Sequence, residues 1–150
     1  MSAHDGGLGP YRSKVAAEWI DYNGHMSEAF YVLVFGHATD QAMEALGLDF
    51  AYREQTACSL YTVEAHVRYL HEVSLGAPLT VHTRVVGSGA KKLHLAHEMH
   101  SRGTVVATEE ILALHVDQSS GSTTAFPAQV LERIASLTGE PPDWCGRRVG

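Results

Sequence analysis

Hydrophobic and polar positions along the chain follow two periods. Between Lys14 and Ile20, Val15, Ala17 and Trp19 fall on one side, which predicts a first strand. From Glu28 to about Leu46 the period lengthens. Phe30, Leu33, Val34, His37, Ala38 and Gln41 form one stripe at helical spacing, and Tyr31, Phe35, Ala42 and Leu46 add a second. That pattern predicts a long helix, apolar round most of its girth and largely buried. Ser27 stands where an N-cap belongs, and Gly47 followed by Leu48 reads as the stop with its apolar clasp. Gly36 costs ~1 kcal/mol relative to alanine inside a helix, so something is expected to approach its backbone closely.

The period then shortens. Tyr61, Val63, Ala65, Val67 and Tyr69 alternate with Thr62, Glu64, His66 and Arg68, a strand. Leu79–Val86 and Lys92–His100 are strands joined by a turn at Gly87–Ala90, and Val105–Val116 is a longer one. Pro127 opens a short amphipathic helix to about Leu137, with Val130, Leu131 and Ile134 on one side. Residues 1 to about 12 are Gly-rich and expected to be loose. The segment from Gly139 to Gly150, with Pro141-Pro142, is expected to be peripheral.

One apolar helix needs a surface wrapped around it, and a curved antiparallel sheet supplies one. The predicted class is α+β: a five-stranded antiparallel sheet curled around one long central helix. A length of 150 residues without repeats or a linker fits a single domain over 1–150, with its core at about 13–137.

Composition narrows the function. No apolar run reaches ~18 residues, so no membrane span is expected. The N-terminus lacks a basic region followed by an apolar one, so no signal peptide is read. A net charge of −6 argues against a nucleic-acid partner. Cys58 and Cys145, far apart and in no metal-like spacing, fit a reducing cytoplasm. His94, His97 and His100 do not make a metal set, because on a strand His97 faces away from the other two.

The candidate chemistry lies in Trp19-Ile20-Asp21-Tyr22-Asn23-Gly24-His25-Met26-Ser27. A carboxylate, an amide, a glycine and an imidazole precede a helix whose first N–H groups have no intrahelical partner. Asp21 is the candidate nucleophile or general base, or else a cap of the next turn. Asn23 either orients Asp21 or forms the turn. Gly24 supplies a backbone geometry other residues resist. His25 is an acid–base candidate or a packing residue at the helix entry. Glu64, His66 and Arg68 share one strand face by their spacing of two.

Asp21-x-x-Gly24 before the long helix resembles the hotdog-fold thioesterases of the 4-hydroxybenzoyl-CoA type. Four blocks are similar to betainyl-CoA thioesterases, and to the thioesterase domain fused to some L-carnitine dehydrogenases: Glu18–Met26, Val34–Asp40, Tyr61–His66 and Leu114–Asp117. The resemblance implies hydrolysis of a short acyl-CoA, betainyl-CoA first. It implies no cofactor, since coenzyme A is part of the substrate. It puts the oxyanion donors among the backbone N–H groups near Ser27 and Glu28. Lys91 and Lys92 align with the basic turn that holds coenzyme A phosphates. Hotdog domains pair, so a homodimer or a dimer of dimers is implied, with Glu64 facing the partner's Asp21 loop. For a trimethylammonium group the candidate contacts are Trp19, Tyr22, Tyr31, Tyr61, Glu64 and His66. Asp21, Asn23 and His25 also offer the residue types of a hotdog enoyl-CoA hydratase, though the histidine falls one residue early. A non-catalytic acyl-CoA sensor is the third reading.

Overall fold

The computed structural model describes residues 8–150. Strand β1 is Tyr11–Lys14, helix α1 is Glu28–Ala45 and helix α2 is Phe50–Thr56. Strands β2 (Cys58–Tyr69), β3 (Pro78–Ser88), β4 (Lys92–Ser101) and β5 (Thr104–Asp117) follow, then the two-residue β6 (Ser122–Thr123) and helix α3 (Ala128–Leu137). The strands form one antiparallel sheet in the order β1-β3-β4-β5-β2, with β6 paired to β5. It curls around α1 as expected, so β1 and β2 are its edges.

Each turn of α1 meets its own stretch of sheet. Tyr31, Val34, Phe35 and Ala38 pack with Leu79, Val81, Met99 and Ala107 near the helix start. Ala42, Met43 and Leu46 pack with Val85, Leu93, Leu95 and Ile111 near its end, where Ile134 of α3 joins them. The stop is as read. Gly47 adopts φ +88° and Leu48, fully buried, donates its N–H to the Met43 carbonyl at 2.8 Å.

Several expectations need correction. The first strand lies earlier than predicted, because Ala17–Trp19 is a 3-10 turn rather than strand. The expected loose segment therefore includes β1; residues 1–7 of it lie outside the described residues. Helix α1 is not buried all round: Val32 and Leu33 are exposed and so is His37. Nothing approaches Gly36, since a Cβ there would meet no atom within 4 Å. Helix α2 was not foreseen. It is capped by Asp49, which accepts from the Tyr52 N–H at 2.9 Å, and is tied to β5 by Tyr52 Oη on His115 Nε2 at 2.7 Å. The C-terminal segment lies against the outer face of the sheet: Trp144 Nε1 donates to Glu98 at 3.1 Å and the Gly146 N–H to Glu110 at 2.6 Å.

Strand β2 carries a bulge between Thr62 and Glu64. Past it the residues facing α1 are Ala65, Val67 and Tyr69, opposite Ile111, Glu109 and Ala107. Before it Tyr61 pairs with Leu114, so Tyr61 and Glu64 share the outer face.

One row of the inner face is polar. Thr83, His97 and Glu109 lie side by side on β3, β4 and β5. His97 is fully buried, stacked on Phe35 and bonded at 2.8 Å to Thr39 through Nε2 and to Thr83 through Nδ1. Thr39 gives its own proton to the Phe35 carbonyl at 3.1 Å, so Nε2–H donates to Thr39 and Nδ1 accepts from Thr83. Burial lowers the His97 pKa to about 3, and the ring is neutral in the native protein. Replacing Thr39 or Thr83 by valine leaves one ring nitrogen unpaired in the core. Each is expected to lower unfolding stability by about 1–3 kcal/mol, read as a shift of the urea midpoint at unchanged slope.

Candidate active site

The loop before α1 is built from its own hydrogen bonds. The 3-10 turn delivers Ile20, which bridges to Met26 and closes residues 21–25 into a tight hairpin. The Asp21 N–H donates to the His25 carbonyl at 3.1 Å, and the Asp21 carbonyl accepts the Gly24 N–H at 2.9 Å. Asp21 Oδ1 accepts the Asn23 N–H at 2.8 Å. Gly24 sits at φ +82°, the left-handed region that a side chain resists. Two further bonds of 2.9 Å fix the loop in place: Met26 N–H to Val73 and Ser27 N–H to the Trp19 carbonyl. Asp21 is thus the turn former that its position allowed. Its second oxygen stays without a partner among the described residues, on a half-exposed side chain.

The helix start sets the electrostatics. Ser27 occupies the N-cap position, extended, but its side chain makes no capping bond. Its N–H serves Trp19 and its carbonyl receives Phe30, which leaves the N–H groups of Glu28 and Ala29 without partners among the described residues. They carry the positive end of an 18-residue helix. Of the two positions expected to supply donors, the Ser27 N–H is taken by Trp19 and the Glu28 N–H is not.

Beside this helix start lies a cavity of about 260 Å³, lined by Met26, Glu28, Tyr31, Tyr69, His71 and Glu72 among others. Tyr31 and Tyr69 meet edge to face at 5.1 Å. Tyr31 Oη donates to the His71 carbonyl at 3.1 Å, and Tyr69 Oη to the Glu28 carbonyl at 3.2 Å. Burial raises the pKa of both phenols, which keeps them protonated as donors. His25 Nδ1 lies 3.1 Å from Glu72, tying the loop to the β2–β3 connection. A larger cavity of about 440 Å³ sits on the outer face under the C-terminal segment, away from Asp21.

Of the residues singled out in the sequence, the structure gathers Asp21, Asn23, Gly24, His25, Ser27, Glu28 and Tyr31 at this end of the molecule. Trp19 is there too, stacked on Phe30 at 5.7 Å. Tyr22 points to solvent, 97% exposed, and Asn23 meets Asp21 through its backbone alone. Glu64 and His66 line the outer cavity. Tyr61, whose hydroxyl accepts from Gln118 at 3.1 Å, stands eight residues from Tyr69, ~26 Å at the strand rise. Lys91 and Lys92 lie by the β3–β4 turn, opposite Leu114, at the far end of α1 and ~27 Å from its start. Within one protomer these last residues do not reach Asp21. Sequence reading missed Tyr69, Glu72 and Glu109. Glu109 was visible as a charge at a core-facing position of β5, between Ala107 and Ile111.

Comparison with known proteins identifies relatives of the whole fold. The family model of the thioesterase-like superfamily matches residues 15–134. The betainyl-CoA thioesterase of Pseudomonas aeruginosa is 38% identical over 95% of this chain and 94% of its own. The L-carnitine dehydrogenase/betainyl-CoA thioesterase of Rhizobium meliloti is 39% identical over 95% of this chain, which spans 30% of that longer protein. Among solved structures, a Staphylococcus aureus protein in complex with CoA superposes with a TM-score of 0.87 at 29% identity, covering 94% of this chain and 93% of that one. A Pseudomonas putida putative thioesterase gives 0.80 at 36% identity over 93% and 94%.

Because the Ser27 hydroxyl caps nothing, Ser27→Ala is expected to change unfolding stability by less than ~0.5 kcal/mol. Asp49→Ala, which removes the working cap of α2, is expected to cost about 1 kcal/mol in the same denaturation experiment.

Proposed function

Because the chain belongs to the thioesterase-like superfamily, we propose that it hydrolyses betainyl-CoA to betaine and coenzyme A, with Asp21 as the catalytic carboxylate. One observation carries this reading: Asp21, with one oxygen unpartnered among the described residues, sits in the hairpin that leads straight into a helix whose Glu28 and Ala29 N–H groups have no partner among them. A thioester carbonyl lying over Glu28 and Ala29 develops its negative charge toward those donors. Asp21 either attacks the carbonyl carbon, forming an anhydride that water then hydrolyses, or takes a proton from the water that attacks the thioester directly. In both cases coenzyme A leaves as the thiolate and no resident cofactor takes part. His25, tied to Glu72, holds the loop. The acyl group is assigned from the likeness to betainyl-CoA thioesterases.

Assembly completes the site in this reading. Edge strand β2 exposes Tyr61, Val63 and Tyr69, and α1 exposes Val32 and Leu33 beside Gly36. An open edge next to an apolar strip favours pairing with a second copy, either as a dimer or as a dimer of dimers. Antiparallel pairing along β2 carries the partner's Tyr61, Glu64 and Lys91–Lys92 end toward Asp21. With Cys58 and Cys145 free, the proposed place of work is the cytoplasm, with residues 1–150 acting as one domain.

Release of free thiol from a panel of cationic, aliphatic and aromatic acyl-CoAs is the test. Betainyl-CoA is expected to give a kcat/KM well above that of 3,3-dimethylbutyryl-CoA, its neutral isostere. Asp21→Asn is expected to keep the fold and lower kcat by ~10² or more. Equal use of the two substrates defeats the acyl assignment, and near-normal turnover by the folded variant removes Asp21 from the mechanism. Light scattering is expected to give at least twice the protomer mass, and Val63→Lys to shift it toward monomer; a wild-type monomer active at assay concentration overturns the pairing.

A further inference from the structure

Glu109 is a buried carboxyl group. It sits on the inner face of β5 between His97 of β4 and Val67 of β2, with its side chain 6% exposed. Among the described residues no hydrogen bond is made to its carboxylate. The nearest nitrogen, His97 Nε2, is 3.9 Å away and already bonded to Thr39. A carboxyl group buried without a partner destabilises a protein more than a neutral side chain of the same shape. Burial accordingly raises its pKa to about 7.

Its surroundings suit one kind of ligand. Tyr69 lines the cavity at the start of α1 beside Glu28, and the register sets Glu109 behind it as its diagonal neighbour on the same face, Tyr69 pairing with Ala107 as Val67 pairs with Glu109. Tyr31 meets Tyr69 edge to face and lies within the field of Glu72. Two aromatic rings ringed by carboxylates stand where the Tyr69 hydroxyl touches the carbonyl of Glu28, within one side chain of the free N–H groups. Negative charge and ring faces attract a cation that donates no hydrogen bond, and a carboxylate without donors of its own is the fitting counter-charge. In a betainyl thioester the quaternary nitrogen is one methylene from the carbonyl carbon, so its subsite has to lie beside the oxyanion donors.

We infer that Glu109 is the counter-charge for the quaternary ammonium of the acyl group, with Tyr69 and Tyr31 as the aromatic walls of that subsite. This rests on the betainyl reading of the site and names the residues that set its specificity. The groups nearest Glu109 are the neutral His97 from β4 and the protonated Tyr69 from β2; from α1, Thr39 bears no charge and Glu28 acts on the same tyrosine. Below pH 7 the free protein holds Glu109 protonated. A bound cation favours the carboxylate, so binding releases a proton to solvent, and affinity for the cation rises with pH through about 7.

The experiment is titration calorimetry at pH 6 in two buffers of different ionisation enthalpy. The ligands are two uncleavable thioethers of coenzyme A, one bearing 2-(trimethylammonio)ethyl and the other 3,3-dimethylbutyl. Wild-type protein is expected to prefer the cationic ligand by at least about tenfold and to release protons with it but not with the neutral one. Glu109→Gln is expected to lower that preference at least tenfold and to abolish the proton release. A preference that survives in Glu109→Gln overturns the inference while leaving the betainyl reading intact. Absence of any preference in wild type defeats both. Equal proton release with the two ligands in wild type overturns the assignment of Glu109 without need of a variant.

Discussion

Val34 and Phe35, both fully buried, press α1 into the curl of the sheet. Each contributes about 1.5–3 kcal/mol by leaving water, and together they fix the depth and direction of the helix. Its amino end then has one exit, past Tyr69 at the end of β2. The chain must turn there from β1 into α1 within a short span. The hydrogen bonds of the Ile20–Met26 hairpin make that turn, and Asp21 is presented at the helix start because of it. The position of Asp21 and the core packing are one arrangement seen from two ends.

The inner face shows how differently a fold treats two buried polar groups. His97 is bonded at both nitrogens and is neutral, so it behaves as part of the core. Glu109, its neighbour in the same row, makes no hydrogen bond among the described residues. The contrast separates a group that the structure has accommodated from one that it tolerates.

Periodicity made the centre of the fold legible. The limits of α1 and the positions of β2 through β5 follow from stripes and alternation, because each buries one face along its whole length. The edges did not read as well. Val15, Ala17 and Trp19 alternate like a strand, yet a 3-10 turn wins there because the chain must bend to carry Asp21 to the helix. Seven residues with Phe50 exposed gave α2 no apolar stripe to announce it. In the site, local sequence identified the loop, since its bonds are local. Tyr69 and Glu109 arrive from strands paired across long loops, and only the register brings them near. Leu33 and His37 fall in the buried stripe by spacing, although in the single chain they are exposed.

The bulge in β2 has a consequence for how this chain tolerates change. Between Cys58 and Thr62 the strand is one residue out of step with the stretch from Glu64 to Tyr69. Substituting Val63, which is exposed in the single chain, leaves the phase of the strand unchanged and touches only the edge proposed for pairing. Deleting it closes the bulge and re-phases one half of the strand against the other. Either Leu60 leaves the core and Tyr61 enters it, or Val67 and Tyr69 turn outward and His66 and Arg68 turn toward α1. Length variation in this strand is therefore confined to its ends, whereas a change of side chain at residue 63 leaves the alternation on both sides of the bulge intact.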